Sequence, residues 1–375
     1  MDIDSPLTLL GGLTPAQFMK RHWQKKPLLV RGAIPGFQPL LARKQLFELA
    51  GRDEVESRLV AREGRSWRLQ RGPFTRRALP PLDQPAWTLL VQGVDLHAAS
   101  AHELLQRFTF VPAARLDDLM ISWASDGGGV GPHFDSYDVF LLQAQGQRRW
   151  RIGRQQDLSL RDDLPLKILA NFEPEAEYVL EPGDMLYLPP RYAHDGIAEG
   201  ECQTCSIGFR APAKAELARE LLQRIADEAG ELEERIYRDP AQPATAAAGA
   251  IPEGLRAFAQ DALAAALKDS SALDRALGEY LTEPKANVWF EAGSVPRKLQ
   301  AVVLDAKTRM LHDAQHVFVN GESWRAAGRD ATLMRKLADR RRLERAEVEG
   351  ASEGARELLR AWCEAGWAHA QGSAR

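Results

Sequence analysis

The chain has 375 residues, a formal net charge of −3, 27% charged and 45% hydrophobic side chains, the balance of an ordinary globular protein rather than a fibrous, disordered or membrane-embedded one. That length exceeds what one core accommodates, so two or three domains are expected, and no run is long and apolar enough to span a bilayer. Three cysteines exclude a disulfide framework and fit a reducing compartment. The acidic opening Met1-Asp2-Ile3-Asp4-Ser5 offers no basic n-region before an apolar core, so a cytoplasmic protein without a membrane partner is expected.

Up to Pro212, short strand-like runs are broken by Gly and Pro, with helices predicted around 15–21, 44–50 and 102–108, so this part reads as mainly β. Within it, Gly127-Gly128-Gly129-Val130-Gly131-Pro132 is an approach whose backbone can pass close to a ligand, and it runs into His133-Phe134-Asp135. On a strand, residues i and i+2 face one side, so His133 and Asp135 can chelate one ion while Phe134 packs away. His194, in Leu188-Pro189-Pro190-Arg191-Tyr192-Ala193-His194, supplies a third ligand. Two imidazoles and one carboxylate leave three adjacent coordination positions open, as non-heme Fe(II) oxygenases need to hold a chelating cosubstrate and O₂ together. The other six histidines (His22, His97, His102, His312, His316, His369) lack such company and are read as surface or core residues.

Residues 138–143 read as an apolar strand, Ala144-Gln145-Gly146-Gln147 as a turn and residues 148–153 as the returning strand of a hairpin. Its turn would lie about five residues, or roughly 16 Å, from the ligands, a span covered by an extended five-carbon diacid plus an arginine side chain. Arg148 can therefore reach the far carboxylate of a metal-bound 2-oxoglutarate, with Arg149 as the competing candidate. The run from Glu181-Pro182-Gly183-Asp184 to Pro190 reads as a turn feeding a strand that brings His194 back. Cys202-Gln203-Thr204-Cys205 has redox-motif spacing, but residues i and i+3 of a strand face opposite sides, so two buried small side chains are expected.

From Lys214 the texture becomes helical, with Leu217, Leu221, Ile225 and Leu232 on one stripe and, after a linker at 240–252, Leu255, Ala259, Leu263 and Leu267 on another. Two such helices make no core alone. They are expected to pack on each other and on a second copy, the alternative being an intramolecular cover for one edge of the β domain. In the last ninety or so residues, 287–290 and 309–312 read as short strands, 316–319 to 322–324 as a hairpin turned at Asn320-Gly321, and two helices follow: a winged-helix-like pattern. Residues 329–345 hold Arg335, Lys336, Arg340, Arg341, Arg342 and Arg345. A phosphate-contacting helix would carry such charge, but acidic residues crowd in from Glu344 to Glu357, so a solvated face is preferred and no nucleic-acid partner is expected.

His133-x-Asp135, the basic residue fifteen positions after the first histidine, the Pro-Gly-Asp-x-Leu-Tyr-Leu-Pro-Pro run and the distal His194 resemble the JmjC-type 2-oxoglutarate oxygenases. Residues 127–140, Gly-Gly-Gly-Val-Gly-Pro-His-x-Asp-x-Tyr-Asp-Val-Phe, and the opening His22-Trp23-Gln24-Lys25-Lys26-Pro27-Leu28 are more particularly similar to the bacterial ribosomal oxygenase branch, with the likeness strongest over residues 10–212. JmjC oxygenases more often carry lysine where Arg148 stands, and arginine fits the bacterial branch. The resemblance implies a mainly β double-stranded β-helix (cupin, JmjC domain) over residues 1–212, an α-helical dimerisation region over 213–284 and a winged-helix-like domain over 285–375. It implies that His133, Asp135 and His194 bind Fe(II) and serve catalysis, that Arg148 pairs with 2-oxoglutarate, and that O₂ is consumed. Ser122 and Tyr137 are candidate cosubstrate and substrate contacts. The implied reaction is 3-hydroxylation of an arginine on the sixteenth large-subunit ribosomal protein by a homodimer, and a slightly negative chain suits a basic substrate. The alternatives are hydroxylation of a histidine on another ribosomal protein, demethylation, or a ligand-sensing cupin with a DNA-binding winged helix; cupins also host Zn or Mn isomerases.

Overall fold

Thr14 starts the first helix, α1 (Pro15–Arg21), with a reciprocal cap: its hydroxyl accepts from the Gln17 N–H and its own N–H donates to the Gln17 side chain, both at 3.1 Å. Pro15 fits the first helical position because the N–H it lacks would be orphaned there. The computed structural model describes residues 2–64, 66–228, 236–268 and 270–371, divided into two units, Met1–Ala211 and Pro212–Arg375.

After α1 the first unit continues through β1 (Leu28–Val30), α2 (Arg43–Leu49), β2 (Ser57–Glu63), β3 (Ser66–Arg71), β4 (Trp87–Val91), α3 (Ala99–Gln106), β5 (Leu116–Ala124), β6 (Val139–Gly153), β7 (Ala176–Leu180), β8 (Met185–Leu188) and β9 (Ala193–Phe209). The strands form one antiparallel sheet in the order β1-β8-β6-β9-β5-β4-β2-β3, with β7 added to the second half of β6, the β-rich cupin architecture expected. Val139 and Leu141 pack with Trp150, Ile152, Leu180, Leu186 and Leu188, while Phe140, Leu142 and Ala144 pack with Phe18, Phe108 and Tyr187. Both faces of β6 are buried, which is why residues 139–144 read as a continuous apolar run rather than an alternating one.

Two local expectations are corrected. β6 does not reverse at Ala144-Gln145-Gly146-Gln147; it runs on as one 15-residue strand against the 17-residue β9, with register shifts between Gln143 and Gln147. Gly146 has φ +61°, and a Cβ there would lie 2.2 Å from the Glu201 carbonyl oxygen. Its turn-like composition serves a bulge at which both strands bend together. Before the bend β6 pairs with β8, beyond it with β7, so one sheet curls around an interior. The second correction concerns residues 133–135, which form no regular strand. An isolated bridge joins His133 to His194 through N–H···O bonds of 2.9 and 2.8 Å, because Pro132 has no N–H to extend a ladder and regular pairing of this chain resumes only at Val139.

The opening His22-Trp23-Gln24 segment has a structural task. Gln24 donates its backbone N–H to the Tyr187 hydroxyl at 2.7 Å and its side-chain amide to Asp138 at 3.0 Å, and Tyr187 donates to Asp138 at 2.6 Å. Arg115 stands 3.5 Å from the same carboxylate and 5.7 Å over the Trp23 ring. Asp138 is fully buried, so these donors are what makes its charge tolerable there. Cys202 and Cys205 are buried on β9 and pack into different clusters, as the strand spacing requires.

The second unit holds α4 (Lys214–Glu228), α5 (Glu253–Ala266), α6 (Ser270–Thr282), β10 (Ala301–Leu304), β11 (Met310–His312), β12 (His316–Val319), β13 (Glu322–Arg325), α7 (Gly328–Arg340), β14 (Arg342–Leu343), α8 (Arg345–Glu349), α9 (Glu353–Glu364) and β15 (Ala368–Gln371). The hairpin turns at Asn320-Gly321, both at positive φ, as an Asn-Gly turn demands. Residues 287–290 form no strand: Trp289 is 55% exposed, and the unit's other sheet is β14-β10-β15 instead. The α4 stripe packs on α6 rather than α5, with Ile225 buried, Tyr280 donating to Glu216 at 2.7 Å and Arg224 paired with Glu283; Leu232 lies outside the described residues. In and beyond α7, Lys336 and Arg340 pair with Glu347, Arg342 with Glu344 and Arg345 with Glu349. These basic side chains are matched by acids of the same unit.

Replacing Asp138 by alanine strands three donors at once, and a loss of about 3 kcal/mol of unfolding free energy is expected. Denaturant titration followed by tryptophan fluorescence measures it; a loss below about 0.5 kcal/mol would show that the cluster holds nothing together.

Candidate metal centre

The bridge between His133 and His194 brings two imidazoles together, with ring centroids 4.2 Å apart and planes tilted by 57°. Each ring is oriented by its own backbone: His133 Nδ1 lies 2.9 Å from the Gly131 carbonyl and His194 Nδ1 lies 3.0 Å from the Tyr192 carbonyl. A carbonyl only accepts, so both Nδ1 atoms carry the proton and both Nε2 lone pairs are left to ligate. His194 Nε2 stands 3.7 Å from Asp135 Oδ2, and one donor atom from each of His133, Asp135 and His194 lies within 4.8 Å of the others. One ion with bonds of about 2.1 Å closes that gap with small side-chain rotations.

Burial supports the ligand role electrostatically. His194 is 3% exposed, and desolvation, followed by the charge of His133, lowers its pKa to about 4. At neutral pH it is an uncharged imidazole, the form that binds metal. Trp150 packs 5.8 Å from its ring, and Gly196, two residues on, is glycine because a Cβ there would lie 2.6 Å from that indole.

Arg148 reaches the same interior by a different route from the one expected. With the hairpin replaced by a bent strand pair, Ile152 faces His194 and Arg148 faces Ala198 across β6 and β9. Four residues separate these rows, about 13 Å along the strand, and all the side chains concerned share one face. Arg148 is 4% exposed. Its Nη1 donates to Ser122 Oγ at 3.1 Å, and its Nε and Nη2 are buried without a hydrogen-bond partner among the described residues. A buried cationic edge with two idle donors is costly, and it has the shape to take a carboxylate in bidentate fashion. Arg149 lies on the opposite face, where it pairs with Glu177 and Glu199 at the surface.

Of the two lesser candidates, Ser122 is 3% exposed and touches Arg148. Tyr137 is 38% exposed beside the triad, and its phenol is pushed above the usual range by desolvation and by the Asp135 carboxylate. Sequence reasoning missed Trp150, which lies 5.8 Å from the Arg148 guanidinium as well as from His194. The period of two through Arg148, Trp150 and Ile152 was the available signal, and it was masked by reading the stretch as one arm of a hairpin.

The sequence pattern described as the JmjC domain matches residues 103–217, and the one described as a ROXA-like winged helix matches residues 260–369. The chain is 39% identical over 231 residues to the ribosomal protein uL16 3-hydroxylase of Escherichia coli, an alignment covering 60% of each chain. A crystal structure of E. coli YcfD superposes with a TM-score of 0.85 at 29% identity, covering 96% of this chain and 98% of that one. A further structure, described as YcfD, a ribosomal oxygenase, in complex with cobalt and 2-oxoglutarate, superposes with a TM-score of 0.79 at 29% identity over 96% of this chain and 99% of that one. The chain thus carries a JmjC domain followed by a ROXA-like winged helix, and over most of its length it is similar to ribosomal oxygenases.

Proposed function

We propose that this chain is an Fe(II)- and 2-oxoglutarate-dependent hydroxylase of a ribosomal protein. The observation that supports it most is the pairing of two features in one interior: three metal-competent donors within 4.8 Å of one another, and a buried Arg148 edge, about four strand residues away, with two unused donors. When bound, Fe(II) and 2-oxoglutarate supply, with O₂, the chemistry that yields succinate and CO₂ and places a hydroxyl on an unactivated C–H bond. His133 and His194 present Nε2 because their Nδ1 protons are held by Gly131 and Tyr192. Asp135 contributes the anionic ligand. Arg148 takes the far carboxylate, and Ser122 steadies the guanidinium. Val139, Leu141, Trp150, Ile152, Leu186 and Leu188 keep water from the interior.

The substrate we infer is an arginine of uL16, hydroxylated at C3, following the name of the 39% identical relative. A ribosomal-protein substrate places the reaction in the cytoplasm. Tyr137, half-exposed beside Asp135, stands where a substrate side chain would enter. We further propose a homodimer whose seam is the apolar face of α5. The α4 stripe is taken up by α6, whereas Leu255, Leu263 and Leu267 of the α5 stripe are 39%, 66% and 53% exposed, an apolar face that a second copy can cover.

Asp135→Ala should abolish metal-dependent turnover of 2-oxoglutarate and weaken Co(II) binding at least about tenfold while the circular dichroism stays native, since it removes the anionic ligand; undiminished turnover would dismiss the triad. Arg148→Lys keeps the charge but loses the fork, so the half-saturating 2-oxoglutarate concentration should rise about tenfold, far more than that for a uL16 peptide. An unchanged cosubstrate response would dismiss Arg148. Leu263→Glu with Leu267→Glu should convert a dimer to monomer in sedimentation, because two charges cannot be desolvated against an apolar stripe; an unmodified chain that sediments as a monomer at micromolar concentration would contradict the dimer.

A further inference from the structure

Inside the curled sheet lies a layer of buried polar side chains that the ligand set does not account for. Gln143, Thr204 and Ser122 are respectively 0%, 0% and 3% exposed, and they sit opposite one another across β6, β9 and β5, since Gln143 pairs with Thr204 and Thr204 with Ser122. The Gln143 amide makes three of the four hydrogen bonds open to it. Its Nε2 donates to the backbone carbonyls of Gln145, at 2.9 Å, and Gly146, at 3.3 Å, and its Oε1 accepts from Thr204 Oγ1 at 2.8 Å. The carbonyl of Thr204 accepts from Ser122 Oγ at 3.5 Å, and Ser122 Oγ accepts from Arg148 Nη1 at 3.1 Å.

We infer that Gln143 is a positioning residue for the far carboxylate of the cosubstrate, acting through Arg148; the inference rests on the cosubstrate role proposed for Arg148 above. Arg148 is tied to this one amide at both ends. Its head is reached through Ser122 and Thr204. Its backbone is reached through the bulge, because Gly146 lies two residues before Arg148 and the carbonyls that Gln143 holds are those of the stretch where the β6–β9 ladder is interrupted. A bulge re-aims the residues that follow it, so the side chain that fixes the bulge fixes the direction in which Arg148 enters the interior. A side chain this deeply buried needs hydrogen-bond partners for its amide, and these bonds converge on the anchor and its backbone.

The test is calorimetric titration of the Co(II)-loaded full chain with 2-oxoglutarate and, separately, with 2-oxobutyrate, which keeps the chelating 2-oxoacid end and lacks the far carboxylate. Gln143→Met preserves length and removes all three hydrogen bonds. It should weaken 2-oxoglutarate binding about tenfold and leave 2-oxobutyrate within about twofold of the unmodified chain. Thr204→Val, which severs only the link from Gln143 toward Ser122, should weaken 2-oxoglutarate selectively by a smaller factor, and it decides the matter alone if Gln143→Met does not fold. Unchanged 2-oxoglutarate binding, or equal weakening of both ligands, overturns the positioning role. Arg148→Met separates the two layers. If it too leaves 2-oxoglutarate binding intact, the reading of Arg148 fails and takes this inference with it; if it abolishes selectivity while Gln143→Met does not, only the role of Gln143 is lost.

Discussion

A guanidinium cannot sit in an apolar interior with two idle donors unless its surroundings or its ligand compensate. Arg148 lies against Trp150 and close to a cluster of leucine, isoleucine and valine side chains, held by one hydrogen bond to Ser122. Its placement accounts for much else in the first unit. The regular β6–β9 ladder from Gln147 to Gly153 puts Arg148 and His194 on one face, and the bend just before it, where Gly146 lies against the Glu201 carbonyl, accompanies the reach of Arg148 to Ser122 on β5. His194 lies opposite Ile152, four residues from the Arg148 row, a separation that suits a five-carbon diacid between the proposed metal and the cation.

The same economy holds at the metal. Neither histidine is oriented by a carboxylate; both use a carbonyl two residues upstream, of Gly131 and of Tyr192. Backbone acceptors leave Asp135 as the one anion of the triad and keep His194 neutral by burial. The reciprocal bridge fixes the spacing of His133 and His194 without a regular strand on the His133 side, and Asp135 and Tyr137 keep access to the surface.

The three donors that the fold brings together are legible in the sequence as a candidate ligand set because the pattern is local: His133-x-Asp135 is two residues of one short run, and the Pro-Pro-Arg turn before His194 announces where the chain returns. The turn at Asn320-Gly321 is legible for the same reason, fixed by φ values of its own two residues. The bent strand is not. Ala144-Gln145-Gly146-Gln147 has the composition of a turn, and only the Glu201 carbonyl, 55 positions on, makes it a bulge. β10 escapes reading for a similar reason, as its partners lie at residues 342–343 and 368–371. The α4 stripe reads correctly as a buried face, but amphipathicity does not name the partner, which is α6.

The account turns on whether the triad and Arg148 serve one ligand. Chelation of Fe(II) by a 2-oxoacid produces a weak charge-transfer absorption in the visible that neither component gives alone, so anaerobic addition of Fe(II) and 2-oxoglutarate to the full chain is the direct measurement. The account predicts that the band forms in the unmodified protein, saturates at one equivalent of iron and is lost in His194→Ala. A protein that develops no band, or one that develops it undiminished without His194, would contradict it.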